Sequence, residues 1–225
     1  MIIDKDTQLF GSFSKQAGST GCKFFNAAFQ KYDINAIYKS FSVDDIGEAF
    51  DAAKTLWMAG FAVAMPFKIK VRDYCDCIEK LDDKYIDNSM RPINTVINDG
   101  KGNFKGYNTD IIGVQDIINH YMNFTENKYE QLHIIGNGGL AASVKIVCSE
   151  MGIPCIIHER STPVGEIVDM KDLLIYNCTP LDLSFLAKDN IFIDCRVGTP
   201  DGDKLYKIQS RAQFKLYTGI DYEED

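Results

Sequence analysis

One stretch in the second half of the chain, His133-Ile134-Ile135-Gly136-Asn137-Gly138-Gly139-Leu140-Ala141-Ala142, has the composition of a phosphate cradle. An apolar run leads straight into glycines, and helix-forming residues follow at once. Glycines at such a turn let the backbone approach a pyrophosphate, and the first turn of the helix offers free N–H groups with a favourable dipole. Gly136, Asn137, Gly138, Gly139 and Leu140 are therefore candidate cofactor contacts. The same pattern also serves as a tight strand-to-helix turn with no ligand. About twenty residues further on, where a dinucleotide fold reads the adenosine ribose, the chain has His158-Glu159-Arg160-Ser161. Arg160 suits a 2′-phosphate held bidentately, and Glu159 suits a free 2′-hydroxyl. Arg160 has no other evident local duty, so NADP is the expected cofactor, with NAD the alternative through Glu159.

Other reactive residue types form no comparable pattern. The 7 cysteines are an odd and scattered set, and only Cys75 and Cys77 lie close together. Cys-x-Cys without a second pair is poor zinc spacing, and the set gives no disulfide framework. The histidines His120, His133 and His158 stand isolated in sequence, which gives little support to a histidine triad or metal centre. No metal is expected.

The elements that must position these residues read as α/β, with strands and helices alternating. In the first half, Thr7–Gly11 is expected to be a strand, and Cys22–Tyr32 a helix with Phe25, Ala28 and Phe29 at helical spacing. Ala36–Val43 is a strand, after which Asp44 caps a helix carrying Ile46, Phe50, Ala53 and Trp57, with Gly60 as its stop. Phe61–Met65 is a buried-type strand ended by Pro66. Pro92–Ile97 and Phe104–Tyr107 form a hairpin around Asp99-Gly100-Lys101-Gly102. A helix then runs from near Thr109 to about Met122. The polar segment Asn123–Glu130 marks the expected boundary between a substrate domain, 1–122, and a dinucleotide-binding domain, 123–225. Beyond it come strand Leu132–Ile135, helix Gly139–Met151 and strand Pro154–His158. Leu173–Tyr176, Ile191–Ile193 and Phe214–Tyr217 are expected to be further strands of a parallel, Rossmann-like sheet.

Composition narrows the function. With 225 residues, 45% apolar and 25% charged, the chain has the make-up of a globular protein that can bury a core, not of a disordered or fibrous one. A formal charge of −8 argues against a nucleic-acid partner. No apolar run approaches the ~20 residues that span a bilayer, and the N-terminus lacks the features of a signal peptide. The expectation is a cytoplasmic protein, monomer or homodimer, acting on a small molecule without membrane or nucleic acid.

Several motifs, in order, resemble the shikimate dehydrogenase family from about residue 8 to about residue 220. Gly11-Ser12-Phe13-Ser14, followed by Phe25-Asn26, looks like that family's Ser-x-Ser entry loop. Met65-Pro66-Phe67-Lys68 looks like its Pro-aromatic-Lys segment. Ile93-Asn94-Thr95-Val96 and Gly106-Tyr107-Asn108-Thr109-Asp110 match two further signatures. The glycine loop, Arg160 and Asn177-Cys178-Thr179-Pro180-Leu181 follow in sequence. The resemblance implies an NADP-dependent oxidoreductase that interconverts shikimate, or a related hydroxylated cyclic carboxylate, and its ketone. Lys68 would be the general acid/base and Asp110 its partner. Ser12 and Ser14 would bind the substrate carboxylate, and Asn94 the ring hydroxyls. Thr179 and Gly219 would join the cofactor residues, with Gly219 near the nicotinamide. The chemistry is coherent: a carbonyl gaining hydride needs a proton on oxygen, and an ammonium oriented by a carboxylate supplies it. Taken singly, Thr109 and Asp110 also suit helix capping, and Ser12 and Ser14 an ordinary loop.

The sequence departs from the family pattern in places. Ala62 and Ala64 stand where the family usually has Asn and Thr facing substrate, and Val197 where it has Tyr. Ser161–Lys171 is short for a helical crossover, which usually needs a dozen residues or more. Family members continue past Tyr217-Thr218-Gly219 through a helix bearing a substrate-binding Gln; this sequence ends at Asp225 and reads as lacking that helix. The departures keep two other readings open: a quinate or aminoshikimate-type dehydrogenase using NAD, and a nucleotide-binding module without turnover.

Overall fold

The computed structural model describes residues 3–79, 81, 92–125, 128–159, 161–162, 164–169 and 171–224. They form a mixed α/β structure of two compact units. One unit takes the chain up to Thr109 and regains Ser210–Asp225, and the other is built on Asp110–Gln209. A cut after residue 122 would instead give the helix that starts at Asp110 to the first unit.

The first unit holds β1 (Gln8–Ser14), α1 (Thr20–Lys31), β2 (Ala36–Ser42), α2 (Ile46–Thr55), β3 (Gly60–Val63), β4 (Cys77–Ile78), β5 (Thr95–Asn98) and β6 (Phe104–Tyr107). Its strands form one sheet in the order β2-β1-β3-β5-β6-β4. β1 pairs in parallel with β2 and β3, while β3–β5 and β5–β6 are antiparallel, the latter as the expected hairpin. Apolar spacing on the helices selects the faces they cover. Phe25, Ala28 and Phe29 of α1 pack with Phe10, Ala36 and Tyr38. Ile46, Ala49, Phe50 and Ala53 of α2 pack with Phe13, Phe61, Val63 and Val96.

Two local expectations shift here. The α2 cap is Asp45, not Asp44: its carboxylate accepts from the Gly47 and Glu48 backbone N–H groups at 2.7 and 3.2 Å. The helix stops at Thr55, and Trp57, not Gly60, takes the left-handed turn at φ 50° with its ring exposed. Gly60 opens β3, where an added Cβ would lie 2.8 Å from the Val96 carbonyl oxygen. A glycine is needed there for strand packing.

The second unit holds α3 (Asp110–Phe124), β7 (Leu132–Ile135), α4 (Gly139–Met151), β8 (Cys155–His158), α5 (Val164–Val168), β9 (Leu174–Asn177) and β10 (Ile191–Asp194). It also holds the start of α6 (Pro200–Thr218). The strands pair in parallel in the order β10-β9-β7-β8. This is the expected Rossmann-like sheet, although among the described residues the β8-to-β9 crossover contains only the short α5. Leu132, Ile134, Leu174, Tyr176 and Ile193 form its core with Val114 and Ile117 of α3 and Val144 and Val147 of α4.

Phe214–Tyr217 is not a strand. It is the last part of α6, whose Phe214 packs among Phe10, Phe25 and Phe29 of the first unit. The chain therefore does carry a terminal helix. Among the described residues, no helix is long and apolar enough to cross a membrane.

Candidate functional site

In the first unit the candidate substrate residues gather around β1, β3 and β5. Ser12 and Ser14 lie within β1, not in a loop, with Ser14 buried and Ser12 partly buried. Lys68 is half-buried in the turn after β3, and its carbonyl accepts from the Ile93 N–H at 2.7 Å. Asn94 is next in sequence. It is buried, and its carboxamide oxygen accepts from the Thr109 backbone N–H at 2.8 Å while its amide donates to the Thr109 hydroxyl at 2.9 Å. Asn94 thus pins the residue that immediately precedes Asp110. Asp110 opens α3 and is itself buried.

Thr95 joins this cluster, with its hydroxyl 3.0 Å from the Asn94 oxygen and 3.3 Å from the Thr109 hydroxyl. Gln213, on the terminal helix that the sequence reading had as absent, donates to the Thr95 hydroxyl at 3.0 Å and is buried. Thr95 and Gln213 were not singled out from sequence, and Thr109 was noted only as a helix cap. The signal for Gln213 was a helix bracketed by Pro200 at its start and Gly219 just past its end. Gly219 has φ 75° and its N–H reaches the Lys215 carbonyl at 2.7 Å, so it terminates α6 in the first unit.

In the second unit, β7 runs into the glycine loop and α4 opens behind it. Gly136 has φ 112°, and its N–H donates to the His158 carbonyl at 2.7 Å. An added Cβ would stand 3.0 Å from the Thr179 methyl. The cradle is therefore lined by glycine backbone on one side and Thr179 on the other. Gly138 is the N-cap of α4 and supplies no side-chain bond to the first turn, which leaves those N–H groups for a ligand. Leu140 packs against the core beneath.

Thr179 is held by Asn177, a fully buried side chain at the end of β9. The Asn177 oxygen accepts from the Thr179 N–H at 3.0 Å and its hydroxyl at 2.8 Å. The Asn177 amide donates to the Leu181 carbonyl and to Asp194, which also takes Arg196. Asn137 donates to Glu159 at 2.9 Å and accepts from Lys145 at 3.2 Å. Glu159 is thus engaged by a neighbour on the glycine loop. Arg160 lies outside the described residues.

The histidines are less isolated than their spacing suggests. His133 on β7 and His158 on β8 stack with ring centroids 5.3 Å apart, and His133 Nδ1 is 3.0 Å from His158 Nε2. Burial holds both below the ordinary histidine value, and His158 lowers His133 further. At the strand ends, burial pushes the Cys178 thiol well up and the Cys195 thiol up to about 12. Neither is a ready nucleophile. Among the described residues, no cluster of His, Cys, Asp or Glu has the make-up of a metal site.

Residues 16–86 match the family model of the shikimate dehydrogenase substrate binding domain. A shikimate dehydrogenase-like protein of Haemophilus influenzae is 32% identical over 166 residues, which cover 73% of this chain but only 58% of that protein. A shikimate dehydrogenase (NADP(+)) of Pyrococcus abyssi is 34% identical over 237 residues, covering 87% of this chain and 86% of the relative. The solved structure of a shikimate 5-dehydrogenase-like protein matches with a TM-score of 0.76 at 25% sequence identity, over 99% of this chain and 96% of that one.

Proposed function

From the premise that the chain belongs to the shikimate dehydrogenase family, we propose that it is an NADP-dependent dehydrogenase. Its substrate is shikimate or a closely related hydroxylated cyclic carboxylate, which it interconverts with the corresponding ketone. The observation that carries this reading is the glycine cradle, Gly136 to Leu140, joined to an open α4 N-terminus and faced by Thr179. Such a cradle fits a pyrophosphate, because backbone N–H groups replace its hydration without a side chain in the way.

The dinucleotide supplies hydride transfer when bound. Thr179 borders the cradle, and Arg160 is assigned the 2′-phosphate. The engagement of Glu159 by Asn137 supports NADP over NAD, since a free 2′-hydroxyl would compete for an occupied carboxylate. Ser12 and Ser14 hold the substrate carboxylate through hydroxyl donors, and Asn94 serves the ring hydroxyls from its place beside Thr109 and Thr95.

Lys68 moves the proton. In the reducing direction its ammonium gives a proton to the carbonyl oxygen as that carbon gains hydride. In the oxidising direction the amine takes the hydroxyl proton as the same carbon loses hydride. Asp110, which follows the Thr109 that Asn94 holds, is assigned to orient that ammonium. Gly219, at the end of α6, is assigned to the nicotinamide from the family resemblance.

Kinetics on Lys68→Ala, Asp110→Asn and the double variant test the pair, with NADP⁺ affinity measured separately. Lys68→Ala is expected to lower kcat by about 10²–10⁴ with NADP⁺ affinity nearly unchanged. The double variant is expected to lose far less than the product of the single losses. Near wild-type turnover by Lys68→Ala would refute the assignment.

A further inference from the structure

The sheet face that carries the proposed substrate groups is not uniformly polar. Alternation puts Phe10, Ser12 and Ser14 on one side of β1 and Phe13 on the other. Phe10 belongs to the core formed with α1 and Phe214, and Phe13 to the core formed with α2. The two serines therefore share the α1 side. Register carries that side across the sheet: Ser40 and Ser42 stand beside Ser12 and Ser14 on β2, and Ala62 stands beside Ser12 on β3. Ala64 continues the pairing through its N–H, which donates to the Phe13 carbonyl at 2.9 Å. On β5 the partner of Ala62 is Thr95, whose hydroxyl takes the Gln213 amide at 3.0 Å.

The result is a lane one strand wide that bears only methyl groups, with Ser12 and Ser14 along one flank and Thr95 on the other. Ala62 is half-buried in it and Ala64 is exposed. Strands lie ~4.8 Å apart, so Ser12 and Thr95 stand about 10 Å apart across the lane. A ring whose carboxylate sits on the serine flank lies over the alanines. A ring hydroxyl resting there loses water and gains no protein partner, which is costly, whereas a C–H loses nothing.

We propose that Ala62 determines specificity, so that this site favours a cyclic hydroxy-carboxylate with fewer ring hydroxyls than shikimate. Carboxylate meets Ser12 and Ser14, the reacting hydroxyl meets Lys68, and C–H bonds face Ala62 and Ala64. This inference rests on the dehydrogenase reading above.

The test is kcat/KM for NADP⁺-dependent oxidation of shikimate and of analogues that each lack one non-reacting ring hydroxyl. Wild type is expected to prefer at least one deoxy analogue, and Ala62→Asn to shift the ratio toward shikimate by about tenfold or more. Should Ala62→Asn fail to fold, the wild-type ratio decides alone. A wild-type preference for shikimate over every deoxy analogue by about tenfold overturns the inference and leaves the dehydrogenase reading standing. An Ala62→Asn variant that folds with an unchanged ratio also overturns it. Failure to oxidise any cyclic carboxylate overturns the dehydrogenase reading and the inference with it.

Discussion

Gly136→Ala probes the join between fold and function. At φ 112° the residue lies beyond the left-handed region that L-residues occasionally visit. Holding an alanine there costs about 1–3 kcal/mol. The new methyl also meets the Thr179 methyl at 3.0 Å and the Cys178 carbonyl carbon at 3.4 Å, against an optimum of about 3.5–4.0 Å. Relief requires Thr179 to retreat by some tenths of an ångström. Asn177 opposes this, because it holds both the Thr179 N–H and hydroxyl. Overpacking of this kind adds about 1–3 kcal/mol. A total loss of roughly 2–6 kcal/mol follows from those two costs, together with a marked fall in NADP⁺ affinity. The contact share is separable from the backbone share. Thr179→Ser removes the offending methyl and keeps the hydroxyl for Asn177, so the double variant is expected to regain the contact share alone. Urea unfolding and calorimetric NADP⁺ titration on wild type, the two single variants and the double variant measure both effects. Stability of Gly136→Ala within about 0.5 kcal/mol of wild type, with unchanged NADP⁺ affinity, would refute the reasoning.

Asn177→Ala is expected to cost about 2–3 kcal/mol in urea unfolding, since it leaves buried partners unsatisfied, and to weaken NADP⁺ binding by loosening Thr179. Arg160→Glu is expected to weaken NADP⁺ binding much more than NAD⁺ binding, by setting a like charge against the 2′-phosphate; equal effects in the two titrations would remove Arg160 from that role. Stability is also expected to fall on acidification. His133 and His158 have folded-state values below 6.5, so the unfolded chain binds more protons in that window, and stability drops as pH falls below about 6.5 and levels off past the folded-state values. Urea midpoints at several pH values, flattened in a His133→Gln/His158→Gln variant, check this.

Much of the fold was legible because local signals agreed. α4 could be bounded at both ends, since the glycine loop opens it and Gly152 in the left-handed conformation closes it. The β5–β6 hairpin followed from a turn rich in Gly, Asn and Asp. The terminal helix was misread for a physical reason: Phe214-Lys215-Leu216-Tyr217 mimics a period-two strand, although Phe214 and Tyr217 lie three apart on the helical face that packs against Phe10. Trp57 shows tertiary context overriding propensity, a bulky residue in a glycine-like turn. The site residues were named by motif, with Thr109 noted only as a cap, but the parts played by Thr95 and Gln213 became visible only through β5 pairing and the α6 approach. Nor does spacing along the chain reveal the His133–His158 stack, which parallel register brings together across 25 positions.

The central claim is most directly tested by NADPH formation. Purified full-length protein is supplied with NADP⁺ or NAD⁺ and, in turn, shikimate, quinate and less hydroxylated cyclic carboxylates. The account predicts saturable reduction of NADP⁺, in preference to NAD⁺, by at least one of these acids. NADP⁺ binding without reduction by any of them would contradict it, and would make the chain a nucleotide-binding module.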